Sequence, residues 1–215
     1  MRQAIIGLML LLLVALPGQV GAQEAESEEA ADLVREYMDQ AVELIQDEDE
    51  PDPDQLASSL REMAEEIFDF ELMSRMSLGR HWHSFDQEQK EEFVQQFTTL
   101  LEENYLGRMD EHMQEVQDFS REDMQVTGHT LLSSKRAEVE SKISYQDQEI
   151  PVNYRLAYDG TDWKVYDVYV EGVSLIQNYR SQFDKLLQRG SAQDLLQKIE
   201  KKLQEGDPED LEDIT

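Results

Sequence analysis

Two changes of hydrophobic period limit what this chain can fold into. Through Val116 the apolar residues recur at intervals of three and four, the spacing of one helix face. From Val126 to Val170 they fall at every second residue, the spacing of a half-buried strand. After Ser174 the helical spacing returns. A chain that reads helices, then strands, then helices segregates the two kinds of element, which makes it α+β.

The helical part divides at its own punctuation. Leu33, Val34, Tyr37, Met38, Ala41, Leu44 and Ile45 mark a first helix, which the acidic "DEDEPDPD" at 47–54 breaks. Leu56, Leu60, Met63, Ile67 and Phe68 mark a second. "FELMSRMSLG" (70–79) is a short third, ended by Gly79. Asp86 and Gln89 form a capping-box pair. They open a long helix carrying Phe93, Phe97, Leu100, Leu101 and Tyr105, predicted to run on through Met109, Met113 and Val116.

Val126–Leu132 is a weak strand. Ala137, Val139, Ser141, Ile143 and Tyr145 alternate with polar neighbours, as do Ile150, Val152, Tyr154, Leu156 and Tyr158. "DGTD" (159–162) turns into "WKVYDVYV" (163–170). Short turns between successive strands give an antiparallel meander. The last strand is anomalous, because strict alternation puts apolar groups on both faces. Trp163, Val165 and Tyr169 lie on one, with Asp167, and Tyr166, Val168 and Val170 lie on the other. Helices must cover both. The expected architecture is a curved antiparallel meander sheet wrapped by N- and C-terminal helices, NTF2- or cystatin-like, around an apolar internal cleft. A helix starting at Ser174 ends at Gly190, and Ser191 with Asp194 caps a final one.

The first 22 residues read as a secretory signal peptide. Arg2 precedes an apolar run, Ile5–Leu16, and Val20-Gly21-Ala22 forms a small-residue cleavage site. The run is short for a membrane span. Residues 23–205 then form a single domain, and 206–215 an acidic flexible tail. The chain contains no cysteine, so neither disulfides nor a thiol nucleophile is available. Its 48 acids against 19 bases give a net charge of −29, which repels nucleic acid and anionic bilayers alike. Residues 23–71 hold only Arg35 and Arg61 as bases, so an acidic partner would dock on the C-terminal half.

Chemical motifs are sparse. His81 and His83 in "HWH" have no third ligand at metal-site spacing, and read as a surface loop with no metal. Ser133, His129 and an acid could be assembled on paper into a triad, as in any chain. Asp69 and Asp167 sit among apolar residues, as a desolvated catalytic acid would or, more simply, as a helix cap or paired carboxylate would. No G-x-S-x-G, P-loop or H-E-x-x-H occurs, so the expectation is no enzyme.

Three segments resemble one family. "FDFELMSRMSLGRHW" (68–82), "FVQQFTTLLEENY" (93–105) and "WKVYDVYVEGVSLIQNYRSQF" (163–183) are similar, in order and spacing, to the MlaC family. These are periplasmic phospholipid-binding proteins of the maintenance-of-lipid-asymmetry pathway, also called toluene-tolerance auxiliary proteins. The resemblance implies a carrier of glycerophospholipids between an outer-membrane lipoprotein–porin complex and the MCE-domain subunit of an inner-membrane ABC transporter. It implies a monomer in the periplasm that takes diacyl phospholipid as cargo, without cofactor or nucleic acid. The apolar positions expected to line the lipid cleft are Met73, Trp82, Phe93, Phe97, Leu101 and Tyr105 from helices. From the sheet and its exit come Val139, Ile143, Val152, Tyr154, Leu156, Val165 and Val173. With few bases to grip a phosphate, little head-group selectivity is expected. A carrier of another apolar cargo, an NTF2-like enzyme and a non-binding interaction module remain alternatives.

Overall fold

The computed structural model describes residues 17–46, 52–107, 120–145 and 148–205, with side chains of the first helix described from residue 24. The expected signal sequence up to residue 16, most of the acidic linker, the helix extension through Met109, Met113 and Val116, and the tail lie outside the described residues.

Among the described residues four α-helices precede the sheet: α1 (Pro17–Gln46), α2 (Pro53–Ile67), α3 (Phe70–Leu78) and α4 (Gln87–Leu106), with a 3₁₀ turn, Gly79–Ser84, between the last two. Their starts follow local chemistry. The Asp52 carboxylate accepts the N–H groups of Asp54 and Gln55, with Pro53 in the first turn. The Asp69 carboxylate accepts from Leu72 N–H. Asp86 and Gln89 close the anticipated capping box on α4. Gly79 ends α3 at φ +52°, a backbone conformation that favours glycine, with the Arg180 guanidinium lying against it.

The sheet is an antiparallel meander in the order β1 (Met124–Ser133), β2 (Arg136–Tyr145), β3 (Gln148–Tyr158), β4 (Trp163–Val170) and β5 (Val173–Ser174). At the β3–β4 turn the Asp159 carboxylate accepts from the N–H groups of Asp162 and Thr161, which hold it below the usual carboxylate range. Helices α5 (Leu175–Leu187) and α6 (Ala192–Glu205) follow the sheet. Ser191 and Asp194 cap α6 reciprocally.

The anomaly of β4 is a β-bulge. Leu156 pairs with Val165, but Arg155 pairs with Asp167, so Tyr166 is an extra residue. Strict alternation therefore fails there, and the expected face assignment is corrected. Because paired residues share a face, Trp163, Val165, Val168 and Val170 lie with Val152, Tyr154, Leu156 and Tyr158. Tyr169 and Asp167 lie on the opposite face. Tyr166 joins them there and packs into the helical core, with the Arg136 guanidinium 4.4 Å from its ring.

Each face then has its own cover. Helix α1 lays Ala30, Ala31, Val34 and Met38 against Ala137, Val139, Leu156, Trp163 and Val165. The other core is helical and aromatic. Phe93 and Phe97 stack at 5.6 Å, and Tyr179 and Phe183 meet the Phe97 ring edge-on at 5.0 and 5.6 Å. Leu195, Leu196 and Ile199 of α6 close that core. Phe68 touches both clusters. It bridges Val165, and Asp69 N–H donates to the Val165 carbonyl at 2.8 Å, which fastens the α2–α3 junction to the bulged strand.

Candidate functional site

A cavity of about 530 Å³ lies where the helices part from the sheet. Its floor is the end of the meander: Tyr154 of β3, Val168 and Val170 of β4, and Val173 of β5. Leu60, Met63 and Ala64 form one stripe of α2 and make a second wall. Phe68, Phe70 and Met73 enter from the α2–α3 region, Leu101, Glu102, Tyr105 and Leu106 from α4, and Ser174, Leu175 and Asn178 from the start of α5.

The wall is overwhelmingly apolar and is not closed. Tyr105, Val170 and Val173 are 63%, 47% and 65% exposed, and these three rim residues are among the few large apolar side chains left open to water. Apolar groups cluster in this way where something apolar is meant to cover them. At the deep end Met73 and Leu101 are buried. Burial also pushes the Tyr154 phenol up, against a hydrogen bond with Ser141, so it remains a neutral group.

The polar groups at the wall do not converge on a reacting atom. The Ser174 hydroxyl donates to Asp167 Oδ2 at 2.7 Å and accepts from Gln177 N–H at 3.0 Å, capping α5. Asp167 Oδ1 also accepts from Ile176 N–H at 3.1 Å. Asp167 is therefore the pin of the strand-to-helix corner, as one of its two sequence readings anticipates. Arg180, on the same helix, lies against Gly79. Glu171 at φ +51° and Gly172 at φ +81° make the turn between strand and corner. The spacing in "VYDVYVEGVS" is thus accounted for residue by residue: bulge, buried acid, left-handed turn, cap. Glu102 is the charged member of the wall among the described residues. Burial raises its carboxyl above the usual range; Arg61 opposes this, and Glu65 and Glu103 add to it.

Other titratable clusters lie elsewhere. His129 touches Ser27 Oγ at 3.0 Å through Nδ1 and Glu28 at 2.8 Å through Nε2, which has the outline of a triad. Its serine is a buried residue of α1 itself and donates to the Glu24 carbonyl one turn earlier, so this group docks α1 on β1. His81 meets Asp184 at 2.8 Å. No group of three metal-ligating side chains occurs among the described residues.

Of the residues expected to line a cleft, the structure brings Met73, Leu101, Tyr105, Tyr154 and Val173 together at this cavity. Phe93 and Phe97 stand in the aromatic core instead. Only part of the α4 stripe lines the cavity: Leu101 and Tyr105 do, and Phe93 and Phe97 do not. The reason is that α4 packs on α6, α3 and α2 along most of its length, and only its last turns reach the cavity. Val139, Leu156 and Val165 face α1. Val152 and Ile143 lie on the same sheet face outside the wall, and Trp82 packs beside the helical core under the Lys90 ammonium. The residues missed are mainly the α2 stripe and Val168 with Val170. Both were legible as apolar stripes, but nothing in a stripe says which neighbour it meets.

A family model described as MlaC protein matches residues 35–201. A solved phospholipid-binding protein from Ralstonia solanacearum, in complex with a phospholipid, has a similar fold. Its TM-score is 0.68 at 21% identity, covering 83% of this chain and 98% of that one. No curated protein matches this chain.

Proposed function

From the premise that this chain belongs to the MlaC family, we propose that it is a periplasmic carrier of glycerophospholipids. The acyl chains occupy the cavity and the head group stays at its rim. The observation that carries the reading is the cavity itself: about 530 Å³, apolar in its walls, and open where Tyr105, Val170 and Val173 are exposed. The volume falls within the roughly 300–1,000 Å³ of ligand sites generally. The similar Ralstonia protein, solved with a phospholipid, supports the choice of ligand.

In this reading residues 1–22 direct export and are removed, 23–205 are the working domain, and 206–215 are a tail. Among the described residues no helix is long and apolar enough to cross a membrane. The protein collects or delivers its lipid at an outer-membrane lipoprotein–porin complex and at the MCE-domain subunit of an inner-membrane ABC transporter, and so helps maintain outer-membrane lipid asymmetry.

The energetics suit a shuttle. Two acyl chains carry roughly 30 methylenes, each about 0.8 kcal/mol to remove from water. That sum exceeds the practical ceiling of about 20 kcal/mol for non-covalent binding. Lipid taken from a bilayer, however, exchanges one hydrocarbon surrounding for another, so the hydrophobic contribution nearly cancels. Loading is then reversible, and the partners must set the direction.

The test is transfer of labelled phospholipid between donor and acceptor vesicles kept apart by a membrane that only protein can pass. The expected result is transfer that rises with protein concentration. Transfer no faster than in buffer would refute the carrier reading. A catalytic reading would require a product, and mass spectrometry of the transferred lipid detects one if it forms.

A further inference from the structure

The carrier reading leaves the head group unassigned, and one wall residue bears on it. Glu102 alone is charged among the described lining residues. It stands one turn before Tyr105 on α4, between the buried depth at Leu101 and the exposed rim. Across the seam, α2 presents Arg61 and Glu65 within electrostatic reach of it, and Glu103 is its chain neighbour. The Arg61 guanidinium lies 3.5 Å from Glu103, so the one base in this group already has an acid beside it.

Among the described residues the wall therefore offers no ammonium or guanidinium of its own to a phosphate, and the described seam beside it holds more carboxylates than bases. A head group with a negative charge only, on phosphate alone, meets that excess. One with an ammonium beyond its phosphate can turn the cation toward Glu102. It also leaves the phosphate near Arg61 or in water.

We propose that Glu102 is a specificity residue for the head group, accepting the ammonium of an amine-bearing zwitterionic phospholipid and disfavouring anionic ones. The inference rests on the carrier reading and revises the expectation of little selectivity. An ion pair at a wet rim is worth a factor of about 1.5 to 5 in affinity. The preference is accordingly a bias and not an exclusion.

Lipid-free protein is incubated with mixed vesicles of phosphatidylethanolamine and phosphatidylglycerol in equal amounts, with matched acyl chains, then repurified and its bound lipid measured by mass spectrometry. Because both lipids share one vesicle, any repulsion of this acidic protein from the surface affects both equally. The expected result is about a threefold excess of the ethanolamine lipid. In Glu102→Gln the ratio falls to about one, and in Glu102→Lys it turns toward the glycerol lipid. Raising salt to about 1 M, where the screening length is near 3 Å, reduces the wild-type preference without any variant. A wild-type ratio near one, a ratio unchanged in Glu102→Gln, or a preference indifferent to salt overturns the assignment. Recovery of neither lipid from the wild type refutes the carrier reading itself, a result distinct from an unselective load.

Discussion

Replacing Asp167 with asparagine tests the corner that holds β4 to α5. The carboxylate is 3% exposed and accepts two hydrogen bonds, 2.7 Å from the Ser174 hydroxyl and 3.1 Å from Ile176 N–H. An amide has one acceptor oxygen, so Asp167→Asn turns an NH₂ toward one of the two donors. The Ser174 hydroxyl can rotate, but its oxygen already accepts from Gln177 N–H. Hydrogen bonds to a charged group contribute about 1.5–3 kcal/mol against about 0.5–1.5 for neutral ones, so each of the two contacts loses roughly 1 kcal/mol. Loss of a negative charge at the N-terminus of α5 adds about 0.3–1 kcal/mol. Because the two contacts share one carboxylate, the losses are not additive, and a total near 2 kcal/mol is expected. For a domain of this size that lowers Tm by roughly 4–8 °C. Thermal unfolding followed by circular dichroism measures it, and lipid extraction of the same sample measures the load, which is expected to stay. If lipid is lost while Tm is unchanged, Asp167 acts on the ligand and its assignment to the corner is wrong.

Leu101→Asp sets a carboxylate in the deep wall and is expected to abolish loading, with Met63→Asp on the half-buried α2 wall as the variant that spares the buried core. Vesicle-extraction assays read both, and full loading in a folded Met63→Asp would exclude α2 from the lipid site. Phe97→Ala removes a buried ring that touches Phe93, Tyr179 and Phe183, and should cost about 3–5 kcal/mol while the protein that stays folded still loads lipid. Loss of loading well below its melting temperature would move Phe97 from core to site.

The pattern of periods carried the architecture because burial on one face forces it. Helical spacing up to the meander, alternation through it, and helical spacing after Ser174 each need one neighbouring surface. The caps at Asp86, Ser174 and Ser191 follow from side chains acting on their own turn. The bulge at Tyr166 was visible only as a contradiction, a strand apolar on both faces. One extra residue shifts every later side chain, and no local rule locates it. The site was less legible than the fold. Along α4 a single stripe begins at Phe93 in the aromatic core and ends at Tyr105 in the cavity, because the neighbouring elements diverge beneath it. A residue's face is local information, whereas this cavity is a relation among seven elements, several of them distant in sequence. Glu102 lay unnoticed among many acids, since its difference from them is position alone.

The central claim is that the cavity between the meander and the helices holds phospholipid. Native mass spectrometry of the protein, purified without detergent from the envelope of a bacterial cell, tests it most directly. The account predicts a species heavier than the bare chain by the mass of bound diacyl phospholipid, converted to the bare chain by organic extraction. A protein that is lipid-free as purified, and that also takes no lipid from vesicles, would contradict it.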